Sequence, residues 1–133
     1  MHPTASPDLA LTPYVNLTTY RRDGRPVTTP VWIIAHGERF YVGTTRDTGK
    51  YKRLRFDPRV RVVACDHRGR GAFGPSWEGT AREVADGALR AAVQQGMTRK
   101  YGRLLFAFIM LLYRLRGRYR LRTVLELDLH PAP

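Results

Sequence analysis

The chain has 133 residues, enough for one domain with its own core, and 43% of them are hydrophobic, which excludes an intrinsically disordered chain. The single cysteine, Cys65, excludes a disulfide framework and a thiolate metal cluster, and it suits a reducing, cytoplasmic setting. A net charge of +12 rests almost wholly on arginine, because lysine occurs only at positions 50, 52 and 100; it attracts nucleic acid, anionic lipid or a coenzyme rich in phosphate and carboxylate, and charge alone does not choose among them.

Residues 1–13 read as a flexible lead-in. Pro3 and Pro7 stand there without the apolar run that a secretory signal needs. The folded domain is expected over 14–130. Tyr14 to Tyr20 is rich in β-formers and runs into Arg22-Asp23-Gly24-Arg25, where Asp-Gly signals a hairpin. A second strand is expected from Val27 to Ala35, with Pro30 marking an edge position or a bulge because proline donates no ladder hydrogen bond. After His36-Gly37-Glu38, a third strand over Arg39 to Thr45 completes an antiparallel meander.

Asp47 or Thr48 then caps a short helix that Pro58 stops by Phe56, with Leu54 and Phe56 as its expected anchors. Arg59 to His67 alternates as a fourth strand, Arg68-Gly69-Arg70-Gly71 is a loop, and Trp77 to Val84 is a fifth strand. Asp86 caps a helix expected to break near Gly96, and a second helical segment runs from Thr98 to Arg116. Its apolar centre, Leu104 to Tyr113, is about half the length of a bilayer span and reads as a helix buried on the barrel or in a dimer contact. Tyr119 to Leu129 is the closing strand. The fold class is therefore α+β, mainly β, of barrel type, with open edges that pairing with a second copy would cover.

The short helix carries the most chemistry. It places Lys50, Lys52, Arg53 and Arg55 within one and a half turns, and the free N–H groups of a helix start already favour an anion. Lys50 and Arg53, three apart, share a face and can grip one phosphate; a bare solvated basic face is the plainer reading of the same pattern. Cys65 and His67, two apart, read as an ordinary strand cysteine and a turn-proximal histidine rather than a nucleophilic pair. His2, His36, His67 and His130 lack metal-ligand spacing, so no metal site is expected.

The run Leu17-Thr18-Thr19-Tyr20-Arg21-Arg22-Asp23-Gly24-Arg25-Pro26-Val27-Thr28-Thr29-Pro30-Val31-Trp32 resembles the strand–turn–strand opening of the pyridoxamine-phosphate-oxidase-like split β-barrel family, F420-dependent branch. Further pieces follow in the family's order: Tyr41-Val42, Thr44-Thr45, Gly49 to Arg55, Asp57-Pro58-Arg59-Val60, Cys65-Asp66, Glu78-Gly79-Thr80-Ala81, Lys100-Tyr101-Gly102 and Val124-Leu125-Glu126-Leu127. The resemblance implies an FMN-binding-like split barrel of six to seven antiparallel strands, with a short helix after the third and a longer C-terminal helix, working as a homodimer. It implies coenzyme F420, or alternatively FMN, in a groove between subunits. The ring would lie against Thr28, Thr29, Pro30, Val31 and Trp32, and the phosphate would be held by Thr44, Thr45, Lys50, Lys52 and Arg53. The implied activity is hydride transfer between the deazaflavin and a small organic acceptor, for which no catalytic side chain is nominated. The other readings are a non-enzymatic basic protein that sequesters a coenzyme, binds nucleic acid or touches a membrane surface. Nucleic acid is not expected, because only Tyr51 and Phe56 offer stacking among the basic residues. The flanking arginines of Leu104 to Tyr113 invite the membrane reading, which the sequence favours less than burial.

Overall fold

The computed structural model describes residues 7–132. Helix α1 covers Pro7–Leu11, and its Leu9 is 2% exposed within the barrel core. Residues 1–6 of the expected lead-in lie outside the described residues. Strand β1 (Tyr14–Tyr20) buries alternate residues, Val15, Leu17 and Thr19, on one face. The Arg21 N–H then bonds to the Arg25 carbonyl at 2.9 Å and closes Arg22-Asp23-Gly24 as a three-residue loop. Gly24 takes φ +89° there, the left-handed position such loops need.

The strand expected over 27–35 is two strands. β2 is Pro26–Val31 and β3 is Ile34–His36, separated by Trp32 and Ile33. With β4 (Arg39–Thr45), β5 (Arg59–Cys65), β6 (Phe73–Glu83) and β7 (Arg122–Pro131) they form one antiparallel sheet in the order β2-β1-β5-β6-β7-β4-β3. β2 and β3 are consecutive in the chain yet occupy opposite edges. Two residues can join those edges only if the sheet curls until they nearly meet, and that makes the barrel. Pro30 does lie on an edge strand, as its missing N–H requires.

The break at Trp32–Ile33 has a tertiary cause. The Ile33 N–H donates to Tyr101 Oη at 2.9 Å, and the Ile33 carbonyl accepts from Lys100 Nζ at 2.6 Å. Both partners sit at the end of helix α3 (Gly87–Tyr101), so a helix far along the chain satisfies the backbone groups that the kink takes out of the ladder. Burial at this contact raises the Tyr101 hydroxyl to about 12 and lowers the Lys100 ammonium to about 8.

α3 is capped by Asp86 as expected, but it runs straight through Gly96. A Cβ at Gly96 would come within 2.6 Å of Ile34 Cδ1, so this glycine lets the helix lie close on β3 and is not a breaker. The chain turns instead at Gly102, φ +97°, and α4 (Arg103–Leu115) follows. A single 3-10 turn, Tyr119–Leu121, precedes β7, so the closing strand starts three residues later than expected.

Inside the barrel, Val15, Leu17, Ile33, Phe40, Val42 and Leu127 are at most 1% exposed. Each contributes about 1.5–3 kcal/mol relative to an exposed position. A second apolar layer on the outer face of β4 and β7 packs Tyr41 and Val124 beneath Val93, Met97 and Phe106 of the two helices. The apolar run of α4 is thus buried on one side only. Leu104 is 85% exposed, and Leu105, Phe108, Leu111 and Leu115 are exposed with it, so the barrel covers only one side of this helix. No helix among the described residues is long and apolar enough to cross a membrane.

Candidate functional site

Helix α2 (Gly49–Phe56) lies across β1 and β6 at one end of the barrel. Thr48 caps it, with Oγ1 accepting from the Tyr51 N–H at 3.3 Å, and Asp57-Pro58 ends it. Its buried anchors are Tyr51 and Leu54. Phe56, expected to be an anchor, is 49% exposed beneath the Arg22 guanidinium, 4.3 Å from the ring centroid. Tyr51 Oη donates to Glu83 Oε1 at 2.8 Å, and Glu83 also accepts from Arg46 Nε at 2.9 Å and from Thr123 Oγ1. One carboxylate therefore ties α2, the loop before it and β7 together.

Burial acts to raise the Glu83 carboxyl, but the bonds from Thr123, Tyr51 and Arg46 outweigh it and hold the group below its ordinary 4.5. A depressed folded-state value means that Glu83 contributes stability in full above 4.5 and loses it as the pH falls through the carboxylate range. Glu83→Gln is expected to cost about 1–3 kcal/mol at neutral pH. Urea denaturation from neutral to acid pH checks this, with the gap between variant and parent narrowing as the parent's carboxylate protonates.

Three basic residues, Lys50, Arg53 and Arg21, gather over the start of α2. Lys50 is half-buried, and burial, then the Arg53 charge, lowers its ammonium. Arg53 is lowered by burial and then by the Arg21 charge, so the three cations feel one another. The Arg53 guanidinium folds back over the helix start: Nε donates to Thr19 Oγ1 at 2.6 Å, and a Cβ at Gly49 would meet Nη1 at 2.7 Å. Among the described residues no carboxylate forms an ion pair with Lys50, Arg53 or Arg21, whereas Arg25, Arg46, Arg59 and Arg61 each have one. Lys52 is exposed, on a different side of α2 from Lys50 and Arg53. This is a concentration of positive charge without counter-charge, and an anion is what it can hold.

The two threonines at the end of β4 part company. Thr44 Oγ1 lies 3.2 Å from Thr48 Oγ1 at the cap of α2. Thr45 Oγ1 donates to Asp47 Oδ1 at 2.7 Å and accepts from Arg118 Nη2 at 3.1 Å, while Arg118 Nη1 meets Asp47 Oδ2 at 2.6 Å. Thr45 is therefore committed to an internal cluster. The hydrogen bond from Thr45, then Arg118, holds the Asp47 carboxyl below its ordinary value.

The expected ring-binding run also divides. The register pairs Thr29 with Leu17 and Val31 with Val15, on the inward face, and Thr28 with Thr18, on the outward face. Thr28 and Thr18 share a hydroxyl hydrogen bond of 2.7 Å. Trp32 lies outside and stacks on Tyr101 at 4.1 Å between centroids, 3° between planes. Pro30, Val31 and Trp32 come together in the wall of a cavity of about 250 Å³, opposite Phe106, Met110 and Tyr113 of α4. Arg122 lines it too. Sequence reasoning missed Arg118 and Arg122, because nothing in a loop arginine or a strand arginine marks it as partnered or partnerless. Cys65 is buried, with its thiol raised by burial and by Asp66, and the ring contact of His67 is to Tyr14 at 6.2 Å.

A family model described as pyridoxamine 5'-phosphate oxidase matches residues 2–130. The chain has no match among curated proteins. Among solved structures it is similar to an F420 reductase (19% identity, TM-score 0.59, covering 95% of this chain and 92% of that one). It is also similar to HutZ, the heme storage protein from Vibrio cholerae (15%, 0.65, 92% and 83%), and to the conserved hypothetical protein Rv2991 from Mycobacterium tuberculosis (20%, 0.63, 85% and 70%). At these identities the likeness is one of fold.

Proposed function

The chain belongs to the pyridoxamine 5'-phosphate oxidase family, and from that premise we propose that it is an oxidoreductase using coenzyme F420, with FMN as the alternative, and a small organic acceptor. The observation that carries this reading is the group Lys50, Arg53 and Arg21, gathered over the start of α2 with no carboxylate among the described residues to neutralise it. A coenzyme phosphate fits that chemistry, with Lys50 and Arg53 as donors. The deazaflavin ring supplies hydride transfer when bound. The chain's own part is to orient the ring along the run from Thr28 to Trp32, the end of β2 and the residue after it. The positive surplus of +12 also suits the acidic tail of F420 better than the single phosphate of FMN.

A homodimer in the cytoplasm is part of the proposal. The exposed apolar stripe Leu104, Phe108, Leu111 and Leu115 on α4 supports a partner copy, because a contiguous apolar helix face is unfavourable in water. Fluorescence titration with oxidised F420 and, in parallel, FMN tests the coenzyme, with sedimentation velocity on the same sample. The expected result is F420 bound at least about tenfold more tightly, a difference of about 1.4 kcal/mol, to a species of twice 15.2 kDa. Preference for FMN would change the coenzyme and keep the site. Binding of neither would overturn the reading in favour of a basic binding protein.

A further inference from the structure

Among the described residues, Arg122 is the one charged residue that lines the cavity between β2 and α4, and no carboxylate forms an ion pair with it. Among the described residues its buried Nε has no hydrogen-bond partner, and its Nη1 donates to the thioether sulfur of Met110 at 2.7 Å, a weak acceptor. The guanidinium lies 5.5 Å from the Tyr113 ring centroid and 5.9 Å from that of Phe106. Gly43 makes its room, since a Cβ there would stand 2.6 Å from Nη2. Burial pulls the guanidinium below its ordinary value; Tyr113 and Tyr119 act to raise it, and the Arg90 cation acts to lower it further. A half-buried charge so placed is costly unless a counter-charge joins it. Every other wall of the cavity is apolar or aromatic, and its volume of about 250 Å³ is just below the drug-sized range of about 300–1,000 Å³.

We infer that this cavity is the acceptor subsite, and that it takes a flat, single-ring molecule carrying a carboxylate, which pairs with the Arg122 guanidinium. The inference rests on the proposed function in one respect: Pro30, Val31 and Trp32 line both this cavity and the proposed ring position, so an acceptor held here lies beside the ring. It concerns binding and adds no chemical step.

The test uses coenzyme-free protein, with benzoate and its neutral analogue benzamide as probes and tryptophan emission as the readout, since Trp32 is in the wall. The parent protein is expected to bind benzoate at least about tenfold more tightly than benzamide, as one charge-assisted bond gives. Arg122→Met should reduce that preference to below about twofold, Arg122→Lys should keep part of it, and Arg68→Ala, at an exposed arginine in the loop after β5, should keep all of it. Circular dichroism checks the fold of each variant; if Arg122→Met does not fold, the parent's preference and its partial survival in Arg122→Lys decide. Equal binding of the two probes by the parent, or an undiminished preference in folded Arg122→Met, would overturn the inference. A loss as large in Arg68→Ala would overturn it as well, because the effect would then be one of general charge. No coenzyme is present, so failure of the F420 and FMN titrations would sink the proposed function and leave this outcome standing, and the converse also holds.

Discussion

Replacing Lys50 and Arg53 together with alanine is expected to weaken binding of a phosphate-bearing coenzyme by roughly 10²–10⁴-fold, because each charge-assisted hydrogen bond contributes about 1.5–3 kcal/mol. Both cations already lack carboxylate partners among the described residues, and each is lowered by burial and by a like charge. Removing them relieves repulsion in the free protein, so the fold should survive. Among the described residues, the hydrogen bond to another side chain at stake is that from Arg53 Nε to Thr19. Lys52→Ala, at an exposed position on another side of the helix, is expected to weaken binding by less than about tenfold, the range of a screened surface charge. Equilibrium titration of the variants, with thermal melts alongside, separates lost binding from lost structure.

The second large effect is on stability. Gly79 of β6 faces Leu129 of β7, and a Cβ there would stand 1.8 Å from the Asp128 carbonyl oxygen and 2.8 Å from its carbon. Neither atom can move aside as a side-chain tip does, since both belong to the strand. Gly79→Ala must therefore part β6 from β7, and it is expected to cost about 4 kcal/mol or more out of a total of about 5–15 kcal/mol. Gly87→Ala is the contrasting control. That glycine opens α3 with nothing within 4 Å of the added methyl and no positive φ, so it should be neutral or stabilising by up to about 1 kcal/mol. Chemical denaturation of both variants checks the pair. The resemblance to the family's Glu78-Gly79-Thr80-Ala81 piece thus has a physical reason in the approach of two backbones.

Local signals were readable from the sequence wherever they acted locally. Thr48 and Pro58 bound α2, Asp86 starts α3, and the three-residue spacing of Lys50 and Arg53 puts them together, all of it visible within one or two helical turns. What escaped was set by residues distant in the chain. The kink at Trp32–Ile33 depends on Lys100 and Tyr101, 67 and 68 residues on from Ile33. The same holds for Thr45, whose hydroxyl is occupied by Arg118, 73 residues away, through a cluster with Asp47. Gly96 misled for a related reason: a glycine within a helical pattern reads as a breaker, while its use here is to let Ile34 approach. The alternation that divides Thr28 and Pro30 from Thr29 and Val31 was legible in the period of a strand, but a motif taken as one continuous run conceals it.

In the proposed function the cations over the start of α2 hold a coenzyme phosphate, and comparing coenzymes with and without that phosphate tests it. F420 and its phosphate-free deazaflavin core, and FMN and riboflavin, would be titrated into the parent protein and into the variant carrying Lys50→Ala and Arg53→Ala. The phosphate-bearing member of the preferred pair is expected to bind at least about 100-fold more tightly to the parent, with this ratio falling towards one in the variant. An equal ratio in the two proteins, or a phosphate-free form that binds the parent as tightly as its partner, would contradict it.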